Sequence, residues 1–373
     1  MVNTTSRIAA AAGLALIIAS GARAATIWQN DWLVSSPPTL HGAMIGAGPG
    51  RPAQAIAFAA DHERVIAAPS PNTIQYHVMR LRPDGSTRWA AAVYEYDHRS
   101  STHALHALPD GGALVALGHG DGEQFGDAIL RYAGDGALAW TRKIPTGWLA
   151  RVSPTRIASA GCSRLTVFDV ADGQVTWQRE LGKRDACSVG GLVSDADGNL
   201  YASIQQTANF ALTGYRIAAF DAQGAPRWQV DSDDATGGAV VGLAGTLLLV
   251  RGSAELRALQ SGDGALAWDA SIAGDVHILI SRDGTEEALV VGGGTVRRLA
   301  ADTGMPRWTV AWSGDVAIAE VVDDALLLAG ADGSRARLDT SNGAVVWSVT
   351  GGGVHWLGFG DLDAGTLQGL AQP

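Results

Sequence analysis

The sequence predicts an all-β propeller of four-stranded blades, and three observations predict it. First, a glycine is followed four residues later by a tryptophan in a recurring series of seven pairs: Gly85/Trp89, Gly136/Trp140, Gly173/Trp177, Gly224/Trp228, Gly264/Trp268, Gly304/Trp308 and Gly343/Trp347. Successive tryptophans lie 51, 37, 51, 40, 40 and 39 residues apart, and a period near 40 filled with short β-type segments is that of a propeller blade. Second, each copy reads as two strands around a turn, as in LRALQSGDGALAWDAS at 256–271 and LTVFDVADGQVTW at 165–177. Third, two more short strands precede each such hairpin, for example DVHILIS and ALVVGG around Asp283-Gly284, and GGLVSD and NLYASI around Asp197-Gly198. Each unit is therefore a meander A-B-C-D with A innermost.

The residue before each repeat glycine is Asp84, Asp135, Asp172, Gln223, Asp263, Thr303 or Asn342. Polar residues that accept bent backbone, followed by glycine at positive φ, make a tight hairpin turn. Each tryptophan then lies early in strand D, where its ring can wedge between blades. Burying one removes on the order of 200 Å² from water, about 5 kcal/mol gross. Innermost strands converge and favour small residues, as in GGAVVGLAG at 237–245.

The tails bear on the blade count. Residues 348–373 contain VHWLGFG and TLQGLA, which read as strands A and B, while TIWQNDWLV at 26–34 reads as an outer strand with Trp28 or Trp32 in the wedge position. Together they predict an eighth blade closed by both termini, which would pair otherwise exposed edges; seven blades is the alternative.

Residues 1–24 read as a secretory signal peptide: Arg7, an uncharged apolar run over 8–20, and a small-x-small site at Ala22-Arg23-Ala24. The run is too short to span a bilayer, and no cysteine follows the cleavage site. Residues 25–373 read as a single domain. Cleavage leaves 25 Lys and Arg against 37 Asp and Glu, a formal charge of −12. That surface is a poor match for nucleic acid or anionic lipid. An exported, bacterial, periplasmic or extracellular monomer without a membrane span is expected.

The turn-plus-tryptophan segments resemble the quinoprotein, or PQQ-like, propeller repeat, whose usual form is Ala-x-Asp-x-x-Thr-Gly-x-x-x-Trp. Thr303-Gly304 to Trp308 fits best at the turn; Asp169 and Asp339 occupy the family's Asp position, and Asp221 sits one residue closer to its glycine. The resemblance spans about residues 75 to 347. It implies either a PQQ-dependent dehydrogenase or a non-catalytic scaffold of the outer-membrane assembly type. The adjacent-cysteine pair that covers the quinone in long alcohol dehydrogenases is missing, and no catalytic Asp or calcium ligand can be placed on a matching motif. The scaffold branch fits better in size and lack of insertions, but the lipoprotein cysteine of that branch is missing too.

The meander puts B–C loops and D-to-A connections on one face of the disc. The two long repeat spacings add residues 94–102 after strand D, 118–127 in the B–C loop of blade 2 and 204–215 in the B–C loop of blade 4, all on that face. Long loops in an economical fold are the usual site of function. The candidate partner-binding residues are His98, His103, His119, Asp121, Glu123, Phe125, Asn209 and Phe210. Imidazoles and carboxylates could instead hold a transition metal, but their spacing matches no metal motif, and no metal site is assigned. Cys162, in the B–C loop of blade 3, and Cys187, in the connection leaving it, fall on the same face; in an exported chain they are expected to form a disulfide worth on the order of 3 kcal/mol.

His106, His277 and His355 occupy A-strand positions and read as architectural. Asp195-Ala196-Asp197-Gly198-Asn199 opens like a calcium loop but has glycine at the fourth place and no Glu at the twelfth; a hairpin turn is the better reading. Gly46-Ala47-Gly48-Pro49-Gly50 reads as a plain loop. No Gly-x-Ser-x-Gly elbow or His-Glu-x-x-His pair occurs. The function expected is binding of a protein or peptide of the cell envelope, without catalytic residue or cofactor. The alternatives are a quinone oxidoreductase, with PQQ, Ca²⁺ and a stacking Trp312 or Trp356, and a glycan- or metal-binding module.

Overall fold

In the computed structural model the chain is all β. It describes residues 28–30, 55–58, 64–69, 76–81, 87–93, 100–119, 128–161, 164–182, 187–208, 211–234, 238–272, 276–281, 287–312, 316–322, 325–330 and 334–349. Among the described residues seven antiparallel sheets follow one another, each built on a meander of four consecutive strands, the sixth with one short strand added. The innermost strands of successive sheets lie side by side: Ala55–Phe58, Ser100–Ala107, Trp148–Arg151, Cys187–Ser194, Ala239–Ala244, Val276–Ser281 and Val316–Val322. Close convergence explains the small residues there: a Cβ on Gly191 would stand 2.2 Å from the Val240 carbonyl oxygen of the next sheet.

The core lies between the sheets. Each successive pair encloses one apolar cluster, such as Val78 and Trp89 against Val115 and Tyr132, or Leu289 and Val296 against Leu328 and Leu338. Alternate residues of the middle strands face opposite neighbours: Ile157 and Phe168 face the second sheet, and Ala158 and Val167 the fourth.

The repeat motif works across these junctions. Each indole of the first six sheets meets the next sheet. Trp140, Trp177, Trp228 and Trp308 donate Nε1–H to the carbonyls of Val170, Ala222, Ser261 and Thr340 at 2.9 to 3.1 Å, and Trp268 donates to Ala301. Trp89 reaches the A–B turn instead, at Gly111 (3.0 Å). Under the same rings sit the next sheet's turn glycines, at positive φ: Gly136, Gly173, Gly224, Gly264, Gly304 and Gly343. Glycine and tryptophan of one repeat thus serve two different junctions.

Six of the seven repeat tryptophans thus meet a following sheet among the described residues. Trp347 lies in the outer strand Val345–Val349, opposite Arg337 of its own sheet, and its side chain is half-buried. Residues 350–373, which follow this sheet, lie outside the described residues. Trp89, Trp140 and Trp268 are buried, whereas Trp177, Trp228 and Trp308 are half-buried although they bond across their junctions.

The family's Asp position caps its own turn. Asp169 and Asp339 accept backbone N–H from Ala171 and Ser341 through Oδ1, each at 2.7 Å. Their carbonyls accept Gly173 and Gly343 N–H four residues on. In the fourth sheet Gly224 N–H bonds to Asp221 only three residues back, so the shifted Asp221 reflects a turn one residue shorter. Asp195 likewise closes an A–B hairpin: its carboxylate accepts N–H from Asp197 and Asn199 and the Tyr201 hydroxyl. The hairpin reading of 195–199 holds.

The N-terminal segment differs from expectation. Trp28–Asn30 pairs with Leu279–Ser281 of the sixth sheet's innermost strand, rather than standing as the outer strand of an eighth blade. That edge offers unpaired N–H and C=O groups, and a short strand satisfies them. Residues 350–373, the rest of the expected eighth blade, lie outside the described residues, as do Trp32, residues 1–24 with the expected signal peptide, His355 and Asp283-Gly284.

Candidate functional site

One structure departs from the repeat. In the fourth sheet strands B (Leu200–Ala208) and C (Ala211–Phe220) run well past their neighbours as a two-stranded ribbon, paired in register from Leu200↔Phe220 to Ala208↔Ala211, with a bulge at Gln206/Thr207. This corrects the sequence reading of 204–215 as loop. Only Asn209 and Phe210 separate the strands, as few residues as separate Gly161 from Arg164 in the third sheet. The inserted residues include the β-branched Ile204, Thr207 and Thr213 and the aromatic Tyr215, and pairing satisfies backbone groups that a loop would leave to water.

The ribbon's free part is defined by what covers its foot. Among the described residues strand A reaches to Cys187↔Gln206 and strand D (Pro226–Ser232) to Tyr215↔Ser232. Beyond these points, among the described residues, Thr207 and Ala208 pair only with Leu212 and Ala211, and Thr213 stands at the bulge. The foot is held firmly. Tyr215 is buried, its hydroxyl accepts from Arg257 at 2.6 Å, and its ring presses on Gly238. Ser203 Oγ accepts Val240 N–H at 3.2 Å. The Arg216 guanidinium donates to Asp231 at 2.7 Å and holds that carboxyl below the usual range.

From Ser203 to Tyr215 no residue is charged. Natural sheet edges are normally guarded by charge, proline or cover, and this one carries neither charge nor proline over its projecting length. By contrast the sixth sheet turns back at Gly293-Gly294, both at positive φ (57° and 79°), a tight two-residue hairpin with nothing projecting.

The other sequence-derived candidates are placed in part. Strand B of the second sheet ends at His119, opposite Ser100, and His103 stands at a bulge between Thr102 and Ala104 on the neighbouring strand. These two histidines therefore lie on neighbouring strands of the second sheet, His119 at its strand's end and His103 at the bulge. Strand A already begins at Ser100, so 100–102 belong to a strand rather than to the connection. His98, Asp121, Glu123, Phe125, Asn209, Phe210 and Cys162 lie outside the described residues. Cys187 opens strand A of the fourth sheet. His106 is half-buried in its strand, and His277 lies in strand A of the sixth sheet.

Trp312 is half-buried. Its ring packs on the apolar cluster between the sixth and seventh sheets, and its backbone N–H donates to Gly294 at 2.9 Å. Trp356 lies outside the described residues. Among the described residues no three His, Cys, Asp or Glu side chains gather as a metal site, and no helix is long and apolar enough to cross a membrane.

Sequence reasoning missed several fixtures. Trp148, outside the repeat, is buried and donates Nε1–H to Val189 at 2.8 Å, tying the innermost strands of the third and fourth sheets together beneath the ribbon. Arg80 is fully buried and donates to the Leu108 and Gly112 carbonyls. Glu287 is buried between Arg298 and Arg307. An arginine opposite the repeat tryptophan in strand C (Arg80, Arg131, Arg298, Arg337) is the one signal in the sequence that could have found the last two.

A family model described as outer membrane protein assembly factor BamB matches residues 213–353. Among solved structures the chain is similar to BamB from Moraxella catarrhalis, at 16% identity and TM-score 0.54, covering 74% of this chain and 82% of that one. It is similar to the computationally designed Ika8 protein at 13% identity and TM-score 0.59, covering 87% and 93%. A europium-containing methanol dehydrogenase shares the fold at 12% identity and TM-score 0.54, covering 80% and 78%. A sequence search of curated proteins returned no match.

Proposed function

We propose that this chain is a PQQ-like repeat propeller close to the BamB scaffold type and acts as a non-catalytic scaffold of the cell envelope. It takes a protein or peptide partner on the face that carries its B–C connections. The observation that supports this reading is the ribbon of the fourth sheet, an uncharged two-stranded projection with free edges at Thr207–Ala208 and Ala211–Thr213. A free, unguarded edge on a rigid foot accepts an extended segment by strand addition, in which main-chain hydrogen bonds supply affinity and alternate side chains supply selectivity. The histidine-bearing strands of the second sheet reach the same face and would widen the surface. Export through the signal peptide at 1–24 puts the scaffold where such partners assemble.

The test replaces residues 207–213 by two glycines, which copies the sixth sheet's Gly293-Gly294 turn. Capture of envelope proteins by the purified chain should fall at least about tenfold while the melting temperature stays within a few degrees. Unchanged capture contradicts the ribbon's role. In parallel, reconstitution with PQQ and Ca²⁺ should give no quinone absorbance and no dye reduction; a positive result would favour the oxidoreductase reading.

A further inference from the structure

We propose that Asn342–Gly343 is a latent modification site, a bond that deamidates when the junction between the sixth and seventh sheets opens. It is the one Asn-Gly pair in the sequence, and Asn342 is exposed. The chemistry needs only water. The Gly343 nitrogen attacks Cγ of Asn342, the N–Cγ bond forms, the Cγ–Nδ2 bond breaks, and the amide proton leaves with ammonia. Water then opens the cyclic imide to aspartate or to isoaspartate. Glycine favours the first step because no Cβ hinders the approaching nitrogen.

The folded turn holds both reacting atoms elsewhere. Gly343 N–H donates to the Asp339 carbonyl at 2.8 Å, and Asn342 Oδ1 accepts Ala344 N–H at 2.7 Å. Gly343 stands at φ 75° beneath Trp308: a Cβ there would come 2.7 Å from the ring. Trp308 in turn donates to Thr340 within the same turn at 2.9 Å. Cyclisation must break these contacts, so it waits for the ring to lift.

The two products differ in consequence. Aspartate is the residue that three other sheets use here: Asp135, Asp172 and Asp263 accept the equivalent backbone N–H at 2.8 to 3.0 Å. Isoaspartate inserts an extra backbone atom, and the turn can no longer keep both the Asp339 bond and the seat under Trp308.

The experiment is peptide mapping by mass spectrometry of the full chain kept at mildly alkaline pH, native and in denaturing urea. The account expects Asn342 to deamidate about tenfold or more slowly in the native chain, Trp308→Ala to move the native rate toward the unfolded one, and Asn342→Asp to keep the wild-type melting temperature. Equal native and unfolded rates overturn the proposal, as does a folded Trp308→Ala chain that reacts at the wild-type rate. If Trp308→Ala does not fold, sub-denaturing urea on the wild type replaces it: a rate that climbs with urea supports the proposal, and a flat one overturns it.

Discussion

Gly224 of the fourth sheet lies flat against Trp177 of the third. A Cβ on the glycine would stand 2.7 Å from ring atoms Cδ2 and Cε3, while the indole N–H bonds to Ala222 in the same turn at 3.1 Å. The residues are 47 apart in the sequence, and each belongs to a Gly–Trp pair of its own. The motif is therefore a latch between consecutive sheets, and its glycine is required for space as well as for backbone conformation (φ 82°).

Gly224→Ala should destabilise the chain by about 2 kcal/mol or more, from left-handed strain and collision with the ring. Gly262→Ala is the control: an added Cβ there meets nothing within 4 Å, and the change should stay within about 0.5 kcal/mol. Urea midpoints at constant m-value check both.

Glu287 should be intolerant of neutralisation. Its carboxylate is buried between the guanidinium groups of Arg298 and Arg307, and removing one member of such a set leaves uncompensated buried charge. Glu287→Gln should cost about 3 kcal/mol by urea unfolding, whereas Asp263→Asn, in an exposed turn, should cost little.

Stability should decline at alkaline pH. Burial pushes the Tyr132 phenol up to about 12. Above pH 10, where an unfolded tyrosine ionises, the unfolded chain gives up a proton that the folded chain keeps. The contribution is complete below about 10 and fades as pH climbs toward 12. Tyr132→Phe should flatten this part of the urea-midpoint profile.

On the acid side the sign reverses. The Ser341 hydroxyl donates to Asp339 at 2.6 Å and holds that carboxyl below the usual range. Its contribution is present above the ordinary aspartate value and is lost as pH falls through the lowered one. Ser341→Ala should make the acid limb less steep.

Cys162 and Cys187 are expected to be bridged. Trp148 pairs with Ala160 and bonds to Val189, which draws together the two backbone stretches that carry the cysteines. Thiol titration of denatured, unreduced chain should find no free thiol; two would dispose of the bridge.

The architecture was legible in the sequence because its signal repeats: glycine, tryptophan and capping aspartate recur along the chain, and every copy supports the others. The latch was not, since nothing in one repeat says that Gly224 partners Trp177 rather than Trp228. The ribbon was half legible. The long spacing before Trp228 located it, but Asn209-Phe210, the two residues between the strands, include no glycine, so its strands passed for a loop. Arg80 and Glu287 stayed hidden because burial of a charge depends on contacts between sheets, which periodicity alone does not express.

A photo-crosslinking residue at Thr213, on the ribbon's free edge, compared with one at Leu266, exposed on an outer strand beside a C–D turn, tests the scaffold reading most directly. Crosslinks to a discrete envelope protein from Thr213 and none from Leu266 are expected. Crosslinks from Leu266 with none from Thr213 would contradict it.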